Sequence, residues 1–243
     1  MKIICAENYQ EMSEKAAAMI AAQVIMKPQA VLGLATGSTP IGTYRQLIQW
    51  YNEGKLDFSQ VTGINLDEYR GLTGDHPQSY RYFMQRHFYD YVNIDPARTY
   101  VPDGADPDAE RACRNYDQIL REAGGIDLQL LGIGLDGHIG FNEPGENFIG
   151  ETHCVKLTDS TLAANSRFFS EGEQMPREAY TLGIRGILQA GKVLMLADGR
   201  DKADILQQAF RGPVTPRVPA SILQLHPDFT LIGDKEALRM LLS

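Results

Sequence analysis

Leu130-Leu-Gly-Ile-Gly-Leu-Asp-Gly-His-Ile-Gly-Phe-Asn-Glu-Pro144 decides how this chain is read. An apolar run stops abruptly in a loop that packs Asp136, His138 and Glu143 into eight residues, while Gly137, Gly140 and Pro144 keep a helix from forming there. The pattern predicts a strand that delivers an acid-base cluster to its carboxyl end, the place where open α/β sheets bind ligands. Taken singly, these residues have ordinary explanations: Asp-Gly is a common turn dipeptide, and a lone histidine is more often structural than chemical. Two carboxylates bracketing a histidine on one strand-end loop tip the balance toward chemistry.

The same stretch contains Gly132-x-Gly134-x-x-Gly137, letter for letter a dinucleotide fingerprint. That fingerprint needs a helix starting at its third glycine to hold a pyrophosphate. His-Ile-Gly-Phe-Asn-Glu-Pro cannot start one, so a nicotinamide or flavin site is not expected.

Working outward, apolar strands are predicted at Lys2 to Ala6, Ala30 to Ala35, Val61 to Leu66, Asp127 to Gly134, Cys154 to Leu157, Lys192 to Ala197 and Phe229 to Ile232. Helices are expected at Asn8 to Met26, from Pro40 to about Asn52, Ser79 to Tyr91, Asp106 to Ala123, Gly199 to Phe210 and Lys235 to Leu242, with a helical or irregular piece at Asp159 to Phe169 and a short helix after Pro219. Strands alternating with helices predict an α/β fold: one domain over residues 1–243, with a mostly parallel twisted sheet and helices on both faces, doubly wound in the Rossmann-like manner. The segments from Phe148 to Thr158 and from Pro213 to Pro219 are candidate lids.

Composition narrows the partners. A net charge of -8 disfavours nucleic acid and anionic membranes, both of which need a basic face. No stretch is long and apolar enough to span a bilayer, and the first residues carry no apolar leader. Three widely separated cysteines argue against a disulfide framework or a zinc site, and a reducing cytoplasm is the expected compartment. An anionic small molecule would need a local cluster of donors working against the global field.

Two strand-to-helix junctions supply such donors. In Thr36-Gly37-Ser38-Thr39-Pro40, Gly37 permits a tight turn and the helix start presents free N–H groups beside three hydroxyls. Simple capping by serine or threonine is the alternative. In Asp198-Gly-Arg-Asp-Lys202 a lysine sits in a first helical turn, where the dipole disfavours a cation unless an anion is bound. Arg167, in Asn165-Ser-Arg-Phe-Phe169, would add a bidentate donor. Asp67 follows the strand ending at Leu66 and is expected to enter the same crevice as His138, where an ionised carboxylate can act as a base. The cluster of Asp136, His138 and Glu143 also raises the question of a metal, but one histidine with two carboxylates is a poor set for zinc or iron.

Four segments together, Ala35-Thr-Gly-Ser-Thr-Pro40, Leu66-Asp-Glu-Tyr69, Gly134-Leu-Asp-Gly-His-Ile-Gly-Phe-Asn-Glu-Pro144 and Asn165-Ser-Arg-Phe-Phe169, resemble the glucosamine/galactosamine-6-phosphate isomerase family, and within it the glucosamine-6-phosphate deaminases. The resemblance covers nearly the whole chain. It implies conversion of glucosamine 6-phosphate and water into fructose 6-phosphate and ammonium, with no cofactor. It implies that His138 moves the proton in ring opening, that Asp136 and Glu143 orient the imidazole, and that Asp67 takes the C2 proton and returns it at C1. It places the substrate phosphate on Gly37, Ser38, Thr39, Arg167 and Lys202.

Hexameric, regulated members carry basic residues after Phe-Asn-Glu-Pro and a longer C-terminal segment. This sequence has His153 and Val155 in those positions and ends at Ser243, so a monomer or small oligomer is expected, and activation by N-acetylglucosamine 6-phosphate is not. Two other functions fit parts of the pattern. A 6-phosphogluconolactonase would use the cradle and the histidine but has no task for a C2 base. A sugar-phosphate sensor of a transcription regulator would keep the cradle alone, normally beside a DNA-binding helix-turn-helix.

Overall fold

The computed structural model describes residues 1–166, 169 and 174–242. Its strands are β1 (Lys2–Ala6), β2 (Val31–Leu34), β3 (Thr62–Asn65), β4 (Asp67–Tyr69), β5 (Thr99–Tyr100), β6 (Leu128–Leu131), β7 (His153–Lys156), β8 (Glu178–Thr181), β9 (Lys192–Ala197) and β10 (Phe229–Asp234). Its α-helices are α1 (Tyr9–Met26), α2 (Ile41–Asn52), α3 (Tyr80–His87), α4 (Ala109–Glu122), α5 (Asp159–Ser166), α6 (Ile184–Leu188), α7 (Ala203–Arg211) and α8 (Lys235–Leu238).

Seven strands form one parallel sheet in the order β1-β10-β9-β6-β2-β3-β5. Every residue of β2 and of β6 is buried, which in a parallel sheet means cover on both faces. The α1 helix packs on β1, β9 and β10 and against α2, while α8 packs on β1 and β10. Helix starts follow local chemistry. Asn8, Ser79, Asp108 and Asp234 each accept a hydrogen bond from an N–H in the first turn of α1, α3, α4 and α8, contacts worth about 1 kcal/mol apiece.

From β2 the chain winds outward through β3 to β5, then returns to place β6 on the other side of β2 and winds outward the opposite way. The reversal opens a crevice beyond the carboxyl ends of β2 and β6.

Several boundaries differ from the sequence reading. The strand expected at Val61 to Leu66 ends at Asn65, and Asp67–Tyr69 crosses into a separate three-stranded antiparallel sheet ordered β4-β8-β7. The switch is anchored at Leu66, whose carbonyl accepts from Leu182 N at 2.7 Å. Neither β8 nor the short β5 and α6 was expected. The helix anticipated from Ser79 to Tyr91 stops at His87 and continues as a 3-10 turn, and the one anticipated from Gly199 begins as a 3-10 turn at Arg200–Lys202. The helix after Pro219 is a 3-10 segment, Pro219–Leu225. No described helix is long and apolar enough to cross a membrane.

Candidate active site

Beyond β6 the chain makes two consecutive tight turns. Gly134 N donates to His138 O at 3.0 Å, and Gly137 N donates to Gly134 O at 3.1 Å. An isolated bridge between Ile139 and Asn142 closes the second turn over Gly140. Gly137 and Gly140 have φ of +89° and +58°, the left-handed region that favours glycine. The imidazole of His138 lies over Gly134 so closely that a Cβ there would fall 2.3 Å from the ring. No helix begins at Gly137, so the dinucleotide fingerprint lacks its phosphate-binding end.

The three polar residues of the loop converge. His138 Nδ1 stands 2.7 Å from Asp136 Oδ1 and 3.7 Å from Glu143 Oε2. Buried from solvent, Nδ1 makes its short contact with the Asp136 carboxylate. Burial alone would raise the Asp136 carboxyl. Its hydrogen bond and charge interaction with His138, aided by the His138 N–H and the Ser160 hydroxyl, instead carry it well below the usual carboxylate range. Asp136 therefore stays an anion beside the ring.

Sequence reasoning missed what holds the two acids. Ser160 Oγ donates to Asp136 Oδ2 at 2.9 Å, and Thr158 donates to Glu143 through its backbone N–H (3.3 Å) and its hydroxyl (3.2 Å). The start of α5 thus lies against both carboxylates. The two segments read as candidate lids both line a small cavity beside Glu143, walled by Asn142, Glu143, Phe148, His153, Pro216 and Pro219, and Gly145, ahead of the first segment, donates its N–H to Pro216 O. That cavity flanks the acid-base loop and does not extend to Asp67.

Asp67 opens β4 and is 6% exposed. A Cβ added to Gly140 would lie 3.3 Å from Asp67 Oδ2 and 3.0 Å from Thr181 Oγ1, so the carboxylate faces the loop that carries His138. The loop is fastened there from β8, with Thr181 Oγ1 accepting from Phe141 N and the Asn142 amide donating to Leu182 O. Desolvation, and after it the charge of Glu68, push the Asp67 carboxyl well above its usual value.

The cradle is only partly as expected. Pro40 is the N-cap of α2 rather than its first helical residue. Gly37 turns with φ +92° and leaves room for a ligand, since a Cβ there would meet nothing within 4 Å. Thr39 Oγ1 is already engaged, donating to Asp198 Oδ1 at 2.7 Å, so its backbone N–H and not its hydroxyl is what the loop offers an anion. Tyr9, unremarked in the sequence, braces the turn: its hydroxyl donates to Ser38 O and Thr39 O and accepts from Gly42 N. Lys202 ends a 3-10 turn after β9, and its Nζ donates to Ile133 O at 2.8 Å, bringing the ammonium to the end of β6. Burial lowers its pKa, against the pull of Asp201, Asp198 and Asp136. Arg167 lies outside the described residues.

The turn after β2, the loop after β6, the turn after β9 and Asp67 beyond β3 belong to four neighbouring strands of the sheet and surround the crevice where the winding reverses. Asp136, His138 and Glu143 also bring ligand atoms within 4.8 Å of one another, the one such cluster among the described residues. At 2.7 Å, however, Asp136 and His138 touch directly, and one nitrogen with two carboxylates is an unpromising zinc set. The spacing suits a shared proton better than an ion.

A family model described as glucosamine-6-phosphate isomerases/6-phosphogluconolactonase matches residues 6–231. The chain belongs to that family. Within the glucosamine-6-phosphate isomerase/6-phosphogluconolactonase family it is 57% identical to a glucosamine-6-phosphate deaminase of Lachnoclostridium phytofermentans, over 96% of this chain and 98% of the relative. It is 53% identical to another of Halothermothrix orenii, over 99% and 100%. The solved structure of a monomeric glucosamine-6-phosphate deaminase superposes with a TM-score of 0.96 at 43% identity, covering 99% of this chain and all of that one. The family's other branch shares the fold: 6-phosphogluconolactonase from Trypanosoma cruzi superposes with a TM-score of 0.79 at 19% identity, covering 100% of this chain and 97% of its own.

Proposed function

We propose that this chain is a deaminase converting glucosamine 6-phosphate and water into fructose 6-phosphate and ammonium. The observation that carries the reading is the carboxylate of Asp67 set against the loop of His138. A lactonase needs a group to activate water and a phosphate cradle, but it has no use for a second, buried acid aimed at the same loop.

The roles follow from surroundings. A histidine with both ring-side carboxylates beside it can take the proton from the sugar's C1 hydroxyl and hand it to the ring oxygen, opening the pyranose to an aldehyde. Asp136, held as an anion, and Glu143 fix the ring's orientation. Asp67 then removes the C2 proton while the C1 oxygen takes one from the C2 ammonium, giving an enolamine, and Asp67 returns its proton to C1. The resulting C2 imine adds water and releases ammonia. A high pKa makes Asp67 a strong acceptor, and an ammonium on C2 brought next to it favours the ionised form it needs. The phosphate would rest on the N–H groups of the Gly37, Ser38 and Thr39 turn, on Lys202 and on Arg167. No metal or organic cofactor enters this scheme.

The finer expectations are a monomer or small oligomer working in the cytoplasm. A monomeric relative and three free cysteines support them. The test is direct: glucosamine 6-phosphate given to the purified chain should yield ammonium and fructose 6-phosphate in equal amounts. Hydrolysis of 6-phosphogluconolactone without ammonium release from the amino sugar would replace the reading with the lactonase one.

A further inference from the structure

Beside Asp67 on β4 stands Glu68, a carboxylate only 2% exposed that the scheme above does not use. Successive strand residues point to opposite faces, so the two acids meet different surroundings. Glu68 is ringed by donors. Its Oε1 accepts from the backbone N–H of Tyr69 (2.8 Å) and of Tyr80 (2.9 Å), and its Oε2 accepts from that of Arg81 (3.0 Å). Tyr80 and Arg81 open α3, where free N–H groups and the helix dipole favour an anion. Gly104 shuts the acid in: a Cβ there would fall 2.5 Å from Tyr69 O and 3.0 Å from Glu68 Cγ. Asp67, facing Gly140, receives no side-chain hydrogen bond among the described residues.

We propose that Glu68 is a positioning residue for the base: it ties β4 to the start of α3, fixing the backbone from which Asp67 reaches the substrate, and its carboxylate, one residue away, is the charge that Asp67 works beside. The inference rests on the deaminase reading of Asp67.

Two neighbouring acids whose environments differ take different roles. Burial pushes both carboxyls up. For Glu68 the three N–H bonds and the charge of Arg81 oppose it, leaving a value of about 7. For Asp67 only burial and the charge of Glu68 act, both upward. Glu68 therefore gives up its proton first, and Asp67 titrates against a charge already in place. The other groups that feel the pair are the hydroxyls of Tyr69, Tyr80 and Tyr116, neutral near pH 7, and the Arg81 guanidinium, which donates to Thr99 O at 3.0 Å.

Two substitutions separate the tether from the charge. Glu68→Gln keeps an oxygen for the Tyr69 and Tyr80 N–H groups but removes the charge. Glu68→Asp keeps the charge but is one methylene short of α3. The readouts are an NMR titration of the isotope-labelled Asp67 carboxyl, which needs no substrate, thermal melting, and the pH profiles of kcat and KM. In E68Q the Asp67 midpoint should fall by on the order of one pH unit. The acid limb of kcat should move down with it and the plateau should drop about tenfold, with KM nearly unchanged. E68D should melt earlier with the Asp67 midpoint close to that of the unaltered chain. A Glu68 that only holds the fold would lower the melting temperature in both variants and leave the midpoint of E68Q in place, which overturns the proposal. Should E68Q fail to fold, a drop in the Asp67 midpoint of E68D despite its retained charge overturns it equally. If the unaltered chain releases no ammonium, the deaminase reading fails, while the NMR titration still decides whether Glu68 governs Asp67.

Discussion

Asp136 and Asp67 carry the same functional group into opposite electrostatic settings, and the contrast has measurable signs. Asp136 is depressed in the folded state, so the stability it contributes is present above the ordinary carboxylate value and lost as pH falls below it. Asp136→Asn should thus lower the melting temperature at pH 7, with the gap to the unaltered chain closing below about pH 4. Asp67 is raised, so its favourable contribution is full below the ordinary value and is lost as pH rises toward the folded one. Asp67→Asn should melt later than the unaltered chain at pH 7 and no later at about pH 4. Melting curves across that range check both signs, and a single direction for both variants would contradict the assignment. The residues of the acid-base loop were legible in sequence because all three lie within eight positions. Glu68, Ser160, Thr158 and Tyr9 were not, since each acts through a backbone N–H, a carbonyl or a carboxylate brought near only by folding.

At the scale of elements, the loop after β6 is held open by glycine. A Cβ on Gly137 would meet Val218 Cγ1 at 2.8 Å with φ at +89°, so Gly137→Ala should cost about 1–3 kcal/mol in a denaturant titration. An unchanged midpoint would mean the loop is not held as described. The cradle makes a separate prediction. Lys202→Ala should weaken binding of a phosphorylated sugar by about 10- to 100-fold, a charge-assisted contact's worth, with little change in melting. Calorimetry with glucosamine 6-phosphate checks it, and equal affinity would remove Lys202 from the site. The main-sheet strands were readable because burial on both faces leaves continuous apolar runs, as in β2 and β9. The antiparallel β4-β8-β7 sheet was not. Its strands are three or four residues long, and Asp67 pairs with Thr181, too far along the chain for any local period to register.

Over the whole molecule, the reversal of winding between β2 and β6 converts scattered motifs into one site. Thr39 reaches Asp198, Lys202 reaches Ile133 and Gly140 abuts Asp67, so four strand ends are stitched in succession around the crevice. If all of these groups come from one chain, assembly is not needed for activity. Ultracentrifugation at assay concentration should show a single-chain mass with full turnover; activity confined to a larger species would contradict that. The central claim is that His138 and Asp67 act in sequence on one bound sugar. It is tested most directly by running the reaction in heavy water and following the sugar by proton NMR. The unaltered chain, exchanging the proton held by Asp67 with solvent at the enolamine step, should place deuterium at C1 of fructose 6-phosphate, while Asp67→Asn should still bind the sugar and speed its ring opening yet leave the C2 proton unexchanged. Exchange at C2 as fast in the variant as in the unaltered chain would contradict the account.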